Sequence, residues 1–279
     1  MKYLLTPFLS VSMFATPGHA ASTDWVEVMG GEVRLIAGGP LEEPGRYDAA
    51  LEFRMEPGWH IYWRFPGETG VPTQADFSAS SNLEKARLRF PAPVRYHDGY
   101  ATSLVYMDHV ILPIEVMAKD GAAPLELSAN LFFGICREIC VPAQMDLGLT
   151  LASGEAVDLP MRVAISQATL SLPRPQGDGA PRIVSVERAD ASDAGKPGAL
   201  KITVEITEED GEFDLFAEGA PGSFIEVPRL VGRNGNRAEF ELSANGLTAE
   251  NGIAPLTFVL RDVGQVVEYS TEIRLPGGD

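Results

Sequence analysis

The feature that most restricts the fold is a period of two. Short runs alternate apolar and polar side chains and are broken by Gly, Pro, Asn and Asp: Trp25 to Met29, Glu32 to Ile36, Tyr47 to Met55, Leu83 to Phe90, Val110 to Val116, Leu125 to Phe133 and Met145 to Leu151. Successive side chains of a strand point to opposite faces, so such runs bury one face and wet the other. Several of them in series predict antiparallel strands packed as a sandwich. The pattern resumes after Arg182 in Ile183 to Val186, Leu200 to Ile206, Phe213 to Ala217, Phe224 to Val227, Ala238 to Leu242, Leu256 to Arg261 and Val266 to Ile273. Between the two series, Val157 to Leu170 has helical spacing, with Leu159, Val163, Ala164 and Ala168 on one expected face. Residues 173–181, rich in Pro and Gly, have the composition of a linker. The reading is an all-β chain of two sandwich domains, 21–172 and 182–279, joined by a short helix and that linker.

The N-terminus reads as a secretory leader over residues 1–20: Lys2, an apolar run from Leu4 to Ala15, then Gly18-His19-Ala20 with small residues at the cleavage-determining positions. No later stretch has the twenty or so apolar residues that a membrane span needs. The expected location is the bacterial periplasm, where a disulfide persists. A formal charge of −17 argues against nucleic acid and anionic membrane surfaces as partners. There is no phosphate-binding glycine loop, nucleophile elbow or paired-histidine metal helix, and no cofactor is expected.

Cys136 and Cys140 are the two cysteines of the chain. Four steps along a straight strand cover roughly 13 Å, whereas a disulfide needs Cα atoms within about 7 Å. A bond between them therefore requires a hairpin with Arg137-Glu138-Ile139 at its tip. Closing so short a loop is worth only about 2 kcal/mol in the loop-entropy model, against about 3 kcal/mol for fifteen residues. A chain with enough apolar residues for two cores has little need of that staple. Three roles stay open: an inert structural bond, a soft-metal (copper) site completed by a histidine or methionine, and dithiol exchange, which fits best. Arg137 favours a thiolate and Glu138 opposes it.

Strand alternation puts Trp59 and Ile61 on one face and Tyr62 on the other, where Tyr62 can line the cysteine site. His97 beside Asp98 could orient an imidazole, though a turn histidine is the simpler reading. His60 and His109 stand isolated.

The run Trp59 to Gly67, then Phe90-Pro91-Ala92-Pro93, Tyr106 to Pro113 and Cys136 to Pro142 together resemble a known arrangement. It is that of the N-terminal periplasmic domain of DsbD-type thiol:disulfide interchange proteins, and more closely the corresponding region of ScsB, the suppressor of copper sensitivity protein. The resemblance covers residues 24–170, and through ScsB the remainder. It implies an immunoglobulin-like sandwich in which Cys136 and Cys140 are a redox pair that passes reducing equivalents to oxidised periplasmic proteins, with Cys140 the attacking thiol. It also implies a cap loop, Tyr96-His97-Asp98-Gly99-Tyr100, with Tyr100 the covering ring and Tyr62 and Phe133 lining the site. Full-length relatives carry a membrane-spanning segment and a thioredoxin-like domain not found in this sequence, so the expected electron donor is a separate membrane-embedded or thioredoxin-like protein.

Overall fold

The computed structural model describes residues 21–154, 156–188 and 198–275; the expected leader, 1–20, lies outside the described residues. The strands before the helix are β1 (Val26–Val28), β2 (Gly31–Pro40), β3 (Arg46–Met55), β4 (His60–Gly67), β5 (Gln74–Asp76), β6 (Leu83–Leu88), β7 (Val94–His97), β8 (Thr102–Met107), β9 (His109–Ala118), β10 (Leu125–Cys136) and β11 (Cys140–Leu151). After the helix α1 (Leu159–Leu170) come β12 (Arg174–Pro175), β13 (Arg182–Arg188), β14 (Ala199–Glu205), β15 (Phe213–Gly219), β16 (Arg229–Asn234), β17 (Arg237–Ser243), β18 (Ile253–Asp262) and β19 (Gln265–Arg274).

The fold is all-β, with two immunoglobulin-like sandwiches in series. The first packs the sheet β1-β2-β3-β9-β6 against the sheet β11-β10-β4-β8-β7, in which β5 also pairs with β10. The second packs β12-β19-β18-β15 against β13-β14-β17-β16. Alternation does the work expected of it. Along β10, Leu125, Leu127, Ala129, Leu131, Phe133 and Ile135 all face the first core, where they meet Phe53, Leu51 and Leu35 of the facing sheet. Phe133 stands edge-on to Phe53 at 5.2 Å between centroids. A second core gathers Ile202, Val204, Leu215, Phe240, Phe258 and Leu260.

The helix forms where its spacing predicts, but on a different face. Asp158 caps it by accepting the Met161 N–H at 3.0 Å, and its buried residue is Ile165, which packs with Met161 on Ile36 and Ala50. Leu159 and Val163 of the expected face are exposed. The helix sits on the outer side of a sheet that already has its core partner, so the i, i+4 pair 161/165 suffices to hold it. The linker is partly ordered into a ladder, since Arg174 and Pro175 pair in parallel with Val267 and Glu268. Phe224 to Val227, expected as a strand, is not one. Phe224 is exposed while Ile225 and Val227 are buried.

The two sandwiches share a seam. Phe216, Val227 and Val259 of the second half belong to the first core, and Trp63, fully buried, meets Phe216 at 6.2 Å. Arg95 on β7 donates to the Asp214 carboxylate at 2.9 Å and to the Leu215 and Pro228 carbonyls, each at 2.8 Å. Arg64 on β4 donates to Glu218 at 2.6 Å and Glu268 at 2.8 Å. These guanidiniums are partly desolvated, and charge-assisted hydrogen bonds from Nε and Nη2 offset that burial.

Candidate redox site

The hairpin β10–β11 runs in unbroken register from Leu125↔Leu151 to Cys136↔Cys140. Its last pair is therefore the two cysteines, directly opposed, with Cα atoms 4.1 Å apart and their sulfurs bonded. The tip Arg137-Glu138-Ile139 is closed by the Arg137 N–H donating to the Ile139 carbonyl at 3.2 Å. Two features make the pair asymmetric. Cys136 is 2% exposed, whereas Cys140, first residue of the edge strand β11, is exposed. Cys140 is thus the member of the pair that faces solvent, and Cys136 the one covered by its neighbours.

Cys136 packs with Tyr62 and Val105, and Tyr96 and Met107 lean on that cluster. This small cluster lies on the outer face of the sheet, opposite the main core. Tyr62 is on the same face because β4 alternates: Ile61 and Trp63 go to the core, Tyr62 to the cysteines. Its hydroxyl stands 3.3 Å from Cys140 Sγ. A disulfide sulfur carries no proton, so the hydroxyl donates. Burial, and after it the negative Asp98 and the neighbouring Tyr96 phenol, hold the Tyr62 phenol above its ordinary range, which keeps that donor protonated. The ring is wedged by Gly70, whose φ of +131° favours glycine and whose absent Cβ would lie 2.2 Å from Tyr62 Cε1. Thr73 Oγ1 donates to the Tyr62 carbonyl at 3.0 Å.

The loop expected as a cap is tied to the site at one end only. Tyr96 lies with its ring centroid 4.5 Å from that of His60, tilted by 40°, and packs beside Cys136. Asp98 accepts the N–H groups of Tyr100 and Ala101 at 2.8 and 2.9 Å, and these hydrogen bonds hold its carboxyl below the usual range. That turn throws Tyr100 outward, 96% exposed. Tyr100 covers nothing in this state, and the ring at the site is Tyr96. His97 makes a contact of 3.4 Å with Thr102 Oγ1. Phe133, expected to line the site, is a core residue instead, fully buried against Phe53. Arg137 and Glu138 lie 3.9 Å apart and exposed, so their charges largely cancel at the hairpin tip.

His60 is the residue that reading the sequence passed over. It is the register partner of Cys136 on one side and of Met107 on the other, and it is 2% exposed. Its parity with Tyr62, two residues on, was the available signal. His109, also read as isolated, bonds Glu52 at 2.9 Å on the opposite sheet. Among the described residues no three of His, Cys, Asp and Glu gather as a metal cluster, and no helix is long and apolar enough to cross a membrane.

Residues 40–152 match the family model described as thiol:disulfide interchange protein DsbD, N-terminal. Among solved structures, the N-terminal periplasmic domain of ScsB from Proteus mirabilis is similar at 21% identity, over 91% of this chain and 99% of that one, with a TM-score of 0.70. An endo-fucoidan hydrolase of glycoside hydrolase family 107, MfFcnA9, matches at 10% identity over 84% of this chain and 34% of its own, with a TM-score of 0.19, and carries no weight. Curated protein sequences give no significant match. The chain is thus similar to the DsbD N-terminal family across residues 40–152, and has as a whole the fold of a ScsB N-terminal periplasmic domain.

Proposed function

We propose that this chain is a periplasmic thiol:disulfide interchange protein, a thiol-disulfide oxidoreductase that relays reducing equivalents through Cys136 and Cys140 to oxidised periplasmic proteins. The observation that carries this reading is the asymmetry of the pair: one cysteine exposed at a sheet edge, its bonded partner buried beside Tyr62. Exchange needs an attackable sulfur and a second one that leaves and returns within the same site. A structural rivet needs neither. Cys140 is then the thiol that forms the mixed disulfide, Cys136 the one that resolves it, and Tyr62 and Tyr96 the walls of the site. A separate membrane-embedded or thioredoxin-like protein is the donor.

The experiment is reduction of the purified protein by a thioredoxin-like dithiol donor, followed by thiol titration. Reduction to two free thiols, and a trapped mixed disulfide at Cys140 in a Cys136→Ser variant, are the expected results. A pair that stays closed under conditions that open other catalytic disulfides overturns the reading.

A further inference from the structure

The exchange reading leaves a proton unaccounted for. Cys136 is buried in an apolar cluster, where a thiol resists ionisation, yet it must become a thiolate to close the mixed disulfide. The exposed charges of the hairpin tip, Arg137 and Glu138, pair with each other and face solvent.

His60 is the cross-strand neighbour of Cys136. Directly opposed residues of antiparallel strands share a face, with Cβ atoms about 4.5–5.5 Å apart, and His60 is directly opposed to Cys136. The imidazole is clasped by Tyr96 at 4.5 Å and Tyr62 at 5.4 Å. Its Nδ1 is buried and has no hydrogen-bond partner, although buried polar atoms of native proteins almost always have one. In the oxidised pair neither sulfur carries a hydrogen to offer it. Opening the disulfide creates an S–H one strand away.

We propose that His60 takes the proton of the Cys136 thiol when Cys136 attacks the mixed disulfide, and returns it when the pair is opened. This rests on the exchange reading. The step balances as follows. The Cys140 thiolate attacks a partner disulfide, forming a Cys140–partner bond and releasing the partner's other sulfur as a thiolate. The Cys136 S–H then passes its proton to His60 Nδ1, and its sulfur attacks Cys140 Sγ. The intramolecular disulfide forms, the partner's second sulfur leaves with the bonding electron pair, and the imidazolium passes its proton to water. The partner has gained two electrons and the pair has lost two.

The groups around the imidazole suit a neutral acceptor. Tyr62 is on its own strand, Tyr96 on β7, Met107 on β8 and Cys136 on β10, and Asp98 lies in the loop after β7. Burial lowers the His60 pKa, against the opposing pull of Asp98. At neutral pH the ring is uncharged, and in the Nε2–H tautomer the Nδ1 lone pair is free.

The test uses the reduced full chain and a nitrobenzoate disulfide whose released thiolate is coloured. Rapid mixing resolves two releases: the first reports attack by Cys140, the second reports resolution by Cys136. His60→Gln is expected to leave the first rate unchanged and to slow the second roughly 10²-fold near neutral pH, the lower end of general acid–base contributions, with the remaining rate rising in proportion to hydroxide. In the unaltered protein the second release should be slower in D2O and the first should not. A second release that His60→Gln leaves untouched, or that shows no solvent isotope effect, overturns the proposal. If the unaltered protein gives no second release at all, it is the exchange reading that has failed.

Discussion

The Tyr62 hydroxyl reaches across 3.3 Å to Cys140 Sγ, joining the strand that carries the aromatic wall to the exposed half of the disulfide. The same hydroxyl is expected to donate to the Cys140 thiolate once the disulfide is opened. A hydrogen bond to a thiolate is charge-assisted, and its loss raises the energy of the attacking form. Tyr62→Phe is expected to cost about 1.5 kcal/mol at this contact, roughly tenfold in the rate of Cys140 alkylation near neutral pH. Rates of iodoacetamide labelling of the reduced protein against pH check it. The apparent Cys140 pKa should rise while thermal stability stays nearly constant.

Gly70 sets where that hydroxyl points. Gly70→Ala places a methyl against the Tyr62 ring at a backbone angle that L-residues avoid, at an expected cost of about 1–3 kcal/mol. Denaturant midpoints measure the stability loss, and Cys140 labelling should slow in the same variant.

Aromatic residues near the hairpin separate by role. Phe133→Ala removes a ring from the middle of the first core and is expected to cost about 3–5 kcal/mol. Tyr100→Ala, at an exposed loop tip, should change stability by no more than about 0.5 kcal/mol and leave exchange rates intact. Paired urea unfolding curves distinguish the two.

The seam makes a separate prediction. Arg95→Ala removes the guanidinium from the Asp214 carboxylate, which keeps only the Leu215 N–H, and from the Leu215 and Pro228 carbonyls. Allowing for partial solvent exposure of the ion pair, about 1–3 kcal/mol should be lost. The two sandwiches should begin to unfold as separate transitions in calorimetry, where the parent protein is expected to show one.

Acidification gives a signed test of the His60 environment. Its folded pKa lies below the ordinary 6.5, so between the two values the unfolded chain binds a proton that the folded chain refuses, and stability rises with pH there. Stability is therefore expected to fall as pH drops through 6.5 toward the folded value and then to level off in this respect. His60→Gln should flatten that part of the profile, measured as urea midpoint against pH.

Much of this was legible in residue order. The alternation around Tyr62 and along Leu125 to Ile135 identifies strands and their buried faces, and the spacing of Cys136 and Cys140 requires the hairpin that is found. The same alternation, applied to Phe133, puts it three steps from Cys136 and hence on the opposite face; assigning it to the site set parity aside. Tyr100 and Tyr96 are both aromatic and both in the loop, and only the Asp98 turn decides which one faces inward. The helix face depends on which sheet it covers, and nothing near Arg64 or Arg95 in the sequence points to their acceptors, which lie more than a hundred residues away.

Strand β4 begins with His60 and Tyr62 at the cysteines and continues into Trp63 and Arg64 at the seam. Cutting the chain after the helix would strip Trp63 of the Phe216 ring and leave the Arg64 guanidinium without either carboxylate, so an excised first half would be greasy and miscalibrated on the very strand that shapes its sulfur chemistry. The tandem is the smallest piece whose reactivity can stand for the whole.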